Sequence, residues 1–486
     1  MSDARADVPA WETVIGLEVH VHLKTASKLF CACSTKFGSE PNTHICPVCS
    51  GMPGALPVIN ARAVTLAVKT GLALGCNINL HSVFSRKSYF YPDLPNGFQT
   101  SQLEPPICAG GLVRLDTVAG GRVNPEIRIN RVHLEDDAGK CIHEDSLHSM
   151  VDLNRAGTPM VEIVTEPDLR SGAEAAAFMR QLRKLLMYMD ITDGNMEEGS
   201  MRCDVNISLR PLGSKEYGTR AELKNLNSFI SVQAAVEYEE ERQKDILEAR
   251  GSVEQETRLF DTQSGTTSVM RSKEDAPDYR YFPNPDLPPI ILTQAFVDDI
   301  ASSMPERPEQ RQKRYMESFG LNSEEAAILT ASATLADYFE AAVALQNTPR
   351  RIAGLILGEL LPEAGRRGTS FDALGFTPGR MAHTVAMLEA GKVSLKVLHD
   401  LFSELLDSSA DIETLAEKKG LSQVSDSGAL EKAVLEAIAA NTAEASDYRA
   451  GKKKLLSFFV GQVMRSTKGA GNPAMINELV KKHLGA

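Results

Sequence analysis

The most specific chemical signal in the chain is a set of four cysteines, Cys31-x-Cys33 and Cys46-x2-Cys49, with Gly and Pro around the second pair. Thiolates one or two residues apart can reach the same ion. Four of them complete a tetrahedral zinc shell and leave no open position, so the chemistry they suggest is a structural staple, not catalysis. Unliganded reduced thiols and a redox pair are the competing readings. The remaining cysteines, Cys76, Cys108, Cys141 and Cys203, are isolated along the chain and read as reduced thiols without a role.

A second group joins acidic residues to histidine. In Val14-Ile-Gly-Leu-Glu-Val-His-Val-His-Leu23 the apolar Leu17, Val19, Val21 and Leu23 alternate with Glu18, His20 and His22, which places the ionisable residues on one face of a strand. His133-Leu-Glu-Asp-Asp137 ends another extended segment, and Glu162 alternates with Val161 and Ile163. Carboxylates gathered with an imidazole could hold magnesium and orient a phosphate. On spacing alone, carboxylates on a solvated sheet face are the simpler reading. A third group, Arg86-Lys-Ser-Tyr-Phe-Tyr-Pro-Asp93, interleaves two cations with three aromatics, the combination suited to a phosphate and a flat base, or to a turn-rich surface loop. Met201-Arg-Cys-Asp-Val-Asn-Ile-Ser-Leu-Arg210 is a further strand with one polar face. There is no G-x-x-x-x-G-K-[ST] phosphate loop, no Ser-rich amidase segment and no Cys/His glutaminase signature.

The elements that must carry these residues fall into two textures. The chain has 486 residues, of which 43% are hydrophobic and 24% charged, which fits a soluble protein of two or three domains and excludes bulk disorder. Residues 1–292 read as α+β, with helical periodicity at 60–74, 173–189 and 229–249. The proline cluster Phe282-Pro-Asn-Pro-Asp-Leu-Pro-Pro289 suggests a boundary near 292. Beyond it nearly everything is helical, with a capping-box sequence at Asn322-Ser-Glu-Glu325 and an N-cap followed by proline at Thr377-Pro378. A loop at Gly420–Gly428 lies within a second helical unit that is expected to start near 405, so the domains are 1–292, 293–405 and 406–486. No apolar run is long enough for a membrane span, and the N-terminus lacks a secretory pattern, which predicts a cytoplasmic protein. Net charge is −12, yet from Arg449 onward eight Lys/Arg face one acidic residue. That basic tail, with Lys452, Lys453, Lys454, Arg465 and Lys468, is a candidate nucleic-acid contact.

Together, Val14-Ile-Gly-Leu-Glu-Val-His20, Ile45-Cys-Pro-Val-Cys49, Arg86-Lys-Ser-Tyr-Phe-Tyr-Pro-Asp93, His133-Leu-Glu-Asp-Asp-Ala-Gly-Lys140, Val151-Asp-Leu-Asn-Arg-Ala-Gly-Thr-Pro159, Glu197-Glu-Gly-Ser-Met-Arg-Cys-Asp204 and Ala221-Glu-Leu-Lys-Asn-Leu-Asn227 resemble the B-type subunits of the aspartyl/glutamyl-tRNA(Asn/Gln) amidotransferases. The tail segments Val460-Gly-Gln-Val-Met-Arg-Ser-Thr-Lys-Gly469 and Asn472-Pro473 resemble that family's tRNA-binding domain. The resemblance implies a cradle-shaped α+β domain, partly like glutamine synthetase, followed by two all-α domains. It implies a ligase that uses ATP and magnesium to activate the side-chain carboxylate of misacylated Glu-tRNA(Gln) or Asp-tRNA(Asn). Ammonia would come from a partner amidase subunit, in a heterotrimer braced by a third, small subunit. Carried over by position, the metal-binding pocket matches Glu18, His20, Glu135 or Asp136, and Glu162, with Lys87 and Tyr89 lining it. The family commonly has two glutamates where Glu135-Asp136 stands, so either of the two is open as the ligand. Arg86, Tyr91, Arg202, Asp204 and Asn206 are the candidates for nucleotide contact. A zinc-stapled RNA-binding module without catalysis is the competing class, and a self-sufficient glutamine-dependent ligase is disfavoured by the missing glutaminase motifs.

Overall fold

The computed structural model describes residues 10–116, 121–142, 148–272, 278–421, 427–467 and 473–485. It divides into two compact units, one ending at Glu306 and one beginning at Arg307.

The first unit is built on a ten-stranded sheet. Its central strands are β1 (Trp11–His22), β4 (Glu126–Asp136), β5 (Pro159–Thr165) and β6 (Met201–Pro211), in the order β6-β1-β5-β4 and all antiparallel. Beyond β6 lie β7 (Ala221–Leu226), β8 (Glu256–Asp261) and β9 (Thr266–Ser272), with the β7–β8 pair parallel. A separate three-stranded sheet joins β2 (Ser85–Ser88) to β3 (Phe98–Ser101) on one side and to Phe282–Pro283 on the other.

Alternation decides which way each strand faces. Leu17, Val19 and Val21 of β1, Val161 and Ile163 of β5, and Cys203, Val205 and Ile207 of β6 are all essentially inaccessible. Each such side chain contributes about 1.5–3 kcal/mol by leaving water. Helices α1 (Ala61–Ala73) and α3 (Phe229–Glu248) pack on the sheet, and α2 (Gly172–Tyr188) packs beside them. All three begin where a short polar side chain accepts from the backbone N–H groups of the first turn: Asn60, Ser171 and Ser228, respectively. The opposite face of the central strands carries the ionisable residues, because apolar and polar positions alternate with period two.

The expected boundary near 292 falls later. Ile290–Ile291 pairs with His81–Ser82, and helix α4 (Gln294–Ser303) packs against α1, so both remain with the sheet unit. The prolines interrupt an edge segment; they do not end the domain.

Every described element of the second unit is helical. Asn322 and Glu325 form the expected reciprocal capping box, and Thr377 caps the helix that opens with Pro378. One core gathers side chains from Tyr315 to Ala416, including Phe339, Ile352, Leu398 and Phe402. A second gathers Leu430, Val434, Tyr448, Phe459, Val463, Ile476 and Val480. Helices Leu395–Asp407 and Ile412–Lys418 both feed the first core, so the change of core falls after Ala416, beyond the position near 405 read from the sequence. Most of the expected loop at 420–428 lies outside the described residues, and Ser427 already starts a helix. Among the described residues no single helix is long and apolar enough to cross a membrane.

Candidate active site and thiolate centre

Strand register assembles the site. His20 of β1 stands opposite Glu162 of β5, and Glu162 stands opposite His133 of β4, so three ionisable residues form a row across three adjacent strands. Arg202 of β6 extends the row on the far side of His20. One row away Glu18 faces Asp204, and in the row on the other side Met160 lies between His22 and Glu135. His20 Nε2 lies 3.4 Å from Glu162 Oε2, 3.5 Å from Glu135 Oε1 and 3.9 Å from Glu18 Oε1. His133 Nε2 lies 3.4 Å from both Glu135 Oε2 and Glu162 Oε2. Two ligand triads result, Glu18–His20–Glu162 and His133–Glu135–Glu162, which share Glu162.

The electrostatics follow from packing these groups out of water. Burial works against charge on His133, but Glu162 and Glu135 outweigh it and push the imidazole up to about 9. Burial likewise opposes charge on His20, which Glu162 and Glu135 nonetheless hold above the ordinary histidine range. Burial also opposes charge on Glu162, yet His133 and His20 hold it well below the usual carboxylate range. Glu18, half-buried beside Glu162, is pushed up by burial and by that neighbouring charge.

These residues fit a divalent cation. Glu135 Oε1 is buried without a hydrogen-bond partner, and the donor set of carboxylates with imidazole is one that hard cations accept.

Alternation separates Glu135 from Asp136. Glu135 shares a face with His133, whereas Asp136 points the other way and accepts the Thr100 N–H at 2.8 Å. Burial pushes the Asp136 carboxyl up to about 8. Asp137 bridges His22 Nε2 at 2.7 Å and Arg202 Nη2 at 2.8 Å; burial opposes its charge, but Arg202 and His22 keep it far below the usual range.

Against the His20–Arg202 end of the row opens a cavity of about 830 Å³, with His20, Lys87, Tyr89, Arg202, Asp204 and Lys224 in its lining and the exposed Tyr91 among them. Lys87 Nζ lies 5.0 Å from the Tyr279 ring centre and 6.0 Å from that of Tyr89. Burial disfavours its charge, but Glu135 and Tyr281 keep Lys87 above its ordinary value, and burial pushes Tyr89 up to about 12. Two expected nucleotide contacts lie elsewhere. Arg86 is held by Asp286 at 2.5 Å and Asn284 at 3.1 Å and stacks on Phe98. Asn206 lines a separate hollow of about 510 Å³ with Gly16, Ser208 and Arg220.

Sequence reasoning did not single out His133 as a candidate ligand, nor Asp137, Lys224 and Tyr279, which the structure brings to the same site. The signal for His133 was present: His133-x-Glu135 repeats, reversed, the i, i+2 pairing of Glu18-x-His20. Lys224 enters because its Nζ reaches Asp204 at 2.5 Å from the neighbouring strand.

The four cysteines converge as their spacing predicts. Their Sγ atoms all lie within 4.8 Å of one another, with Cys49 Sγ 3.9 Å from Cys46 Sγ and 4.0 Å from Cys33 Sγ. A tetrahedron with zinc–sulfur bonds of about 2.3 Å has edges of roughly 3.8 Å, so the cluster has the dimensions of a zinc shell. Contact with Cys31, then the Cys46 backbone N–H and the Lys28 charge, push the Cys49 thiol down to about 4 against the cost of burial. Of the tail cations, Lys452 pairs with Asp447, Lys453 lies over the Tyr448 ring, Lys454 and Arg465 are exposed, and Lys468 lies outside the described residues.

A carboxylate–histidine face on a largely antiparallel sheet, a four-cysteine insertion and a following helical region define a two-part class. Residues 13–298 match the family model described as the GatB/GatE catalytic domain, and residues 337–484 match the one described as the GatB domain. Curated relatives match along nearly the full length. The B-type subunit of the aspartyl/glutamyl-tRNA(Asn/Gln) amidotransferase from Nitratidesulfovibrio vulgaris (strain DP4) is 53% identical over 98% of this chain and 100% of its own. Those from Solidesulfovibrio magneticus and Myxococcus xanthus are 53% and 49% identical, each over 98% of this chain and 99% of their own. The chain belongs to the GatB/GatE family, on the branch represented by these B-type amidotransferase subunits.

Proposed function

We propose that this chain is the carboxylate-activating subunit of a tRNA-dependent amidotransferase, converting Glu-tRNA(Gln) or Asp-tRNA(Asn) to the amide form. The observation that carries the reading is the in-register row His20–Glu162–His133, with Glu18 and Glu135 beside it, which reaches through His20 a cavity that Lys87, Arg202 and Lys224 also line.

The substrate side chain is a carboxylate, a poor electrophile. Phosphoryl transfer from ATP makes it an acyl phosphate and releases ADP; ammonia then attacks the acyl carbon, loses a proton and expels phosphate. Glu18, His20, Glu135, Glu162 and His133 would hold a magnesium ion, whose charge offsets that of the phosphates during transfer. Lys87, Arg202 and Lys224 supply protein cations to phosphate oxygens, and Tyr89 and Tyr279 offer aromatic walls for a base. Asp137 holds Arg202 and His22 in fixed orientations. In the metal-free chain His133, pushed up to about 9 by Glu162 and Glu135, favours the protonated state, so a cation must displace its proton to enter.

The four cysteines hold a structural zinc. The exposed tail cations contact tRNA through its backbone, leaving identity to be read elsewhere. Ammonia is delivered by a partner amidase, with a third, small subunit completing the heterotrimer in the cytoplasm. The domains that follow the sheet unit then divide into a helical linker and a tRNA-binding bundle.

Reconstitution with the amidase and the small partner, assayed separately on Glu-tRNA(Gln) and Asp-tRNA(Asn), tests the reading. Magnesium-dependent ATP hydrolysis stimulated by one misacylated tRNA, with the amide formed, is the expected result. Tight tRNA binding with no hydrolysis would make the chain an RNA-binding module and refute it.

A further inference from the structure

A charge that leaves water needs a partner, because an isolated buried ammonium is strongly disfavoured. Lys28 is fully buried, and among the described residues no carboxylate lies within 4.0 Å of its Nζ. Its Nζ donates instead to the Leu153 carbonyl at 3.1 Å and to Cys49 Sγ at 3.4 Å. The position is built from several sides. Lys28 N–H donates to the Cys33 carbonyl, and the Lys28 carbonyl accepts from Asn60, the residue that caps α1. A methyl group at Gly157 would lie 3.5 Å from Lys28 Cδ and 3.6 Å from Cys49 Cβ, so the lysine stem and the cysteine pack together against that glycine.

We propose that Lys28 is a positioning residue for the thiolate centre: its ammonium offsets part of the negative charge of a metal-bound tetrathiolate and ties Cys49 to the loop that leads into β5. The inference rests on the reading of the four cysteines as a metal centre. Four thiolates around a divalent cation carry a net charge of −2, and one adjacent ammonium halves the excess. An N–H donor on sulfur also draws electron density from it and fixes its lone-pair direction, as outer partners do for other metal ligands. The tie continues along the backbone. Gly157 N–H donates to the Asp137 carbonyl at 2.8 Å, and Asp137 N–H donates to the Thr158 carbonyl at 2.9 Å. The ammonium therefore links the thiolate centre to the backbone around Asp137, whose side chain grips Arg202 and His22.

The test uses the full-length chain and its variants Lys28→Met, which keeps the length without the charge, and Lys28→Gln, which keeps an N–H donor without the charge. Zinc affinity is measured by competition with a chromophoric chelator, and cobalt(II) serves as the visible probe of the sulfur environment. Lys28→Met should bind zinc about 10–100-fold more weakly. Its sulfur-to-cobalt charge-transfer band should move to lower energy, a shift that loss of packing alone does not produce, and Lys28→Gln should fall between. Wild-type zinc affinity and a superimposable cobalt spectrum in folded Lys28→Met overturn the proposal. If Lys28→Met does not fold, the same result in Lys28→Gln overturns it. A wild-type chain that takes up neither zinc nor cobalt refutes the metal-centre reading itself, and the proposal with it.

Discussion

Glu162→Gln removes one negative charge from the middle of the row and keeps its shape. The carboxylate lies 3.4 Å from both His20 Nε2 and His133 Nε2, and it belongs to both candidate triads. At an effective dielectric of about 20, unit charges at that separation interact by roughly 5 kcal/mol. That energy is the carboxylate's hold on a protonated imidazole; with a neutral amide in place of the carboxylate, cation affinity should fall by about tenfold or more, even though the His133 proton is then easier to displace. Titrating the full-length chain with manganese, followed by electron paramagnetic resonance, measures that loss directly. Selective labelling of histidine rings supplies a second reading: His133, pushed up to about 9 in the intact site, should fall toward its ordinary 6.5 once its main counter-charge is gone. In the reconstituted complex, amidation should collapse while glutamine hydrolysis by the partner amidase persists. A variant that binds manganese within about threefold of wild type, with His133 still titrating near 9, would refute the reasoning.

The remaining predictions are more compact. Because His133 is raised from 6.5 to about 9, its protonated form stabilises the metal-free fold fully below pH 6.5 and loses that effect as pH rises through 9; magnesium affinity should therefore climb over the same window, and a flat calorimetric profile contradicts it. Glu135→Gln should lower amidation by about tenfold or more, while Asp136→Asn, on the opposite side of the strand and bonded to Thr100, should stay within about threefold of wild type in steady-state kinetics. Cys46→Ser should lower the zinc content and the melting temperature by about 5 °C or more while leaving ATP hydrolysis at permissive temperature intact. Deleting residues 420–486, a cut that spares Ile412 and Leu415 in the first helical core, should raise the Michaelis constant for tRNA and flatten its salt dependence; unchanged values in the folded truncation would move the tRNA contact elsewhere.

Local patterns carried much of this architecture. The spacing of Cys31, Cys33, Cys46 and Cys49 foretold their convergence, and alternation in β1 aimed Glu18 and His20 the same way, since both depend only on near neighbours in the chain. What local pattern could not supply is register. Nothing near Glu162 indicates that it sits between His20 and His133, because that placement is decided by pairing among strands far apart in sequence. Arg86 and Lys87 are adjacent and chemically alike, yet strand alternation sends Lys87 into the cavity and Arg86 to Asp286. The prolines after Phe282 looked like a domain end, because a short edge strand and a linker have the same composition.

The row across β1, β5 and β4 also sets what kinds of genetic change the site can absorb. Substitutions at the apolar positions of these strands alter packing by degrees, but inserting or deleting one residue ahead of Glu162 would turn Val161 or Ile163 toward the cavity and bury the carboxylate among the helices. The site is thus written in strand length as much as in residue identity. A library that varies side chains here should retain active members, whereas one that varies spacing by a single codon should retain none.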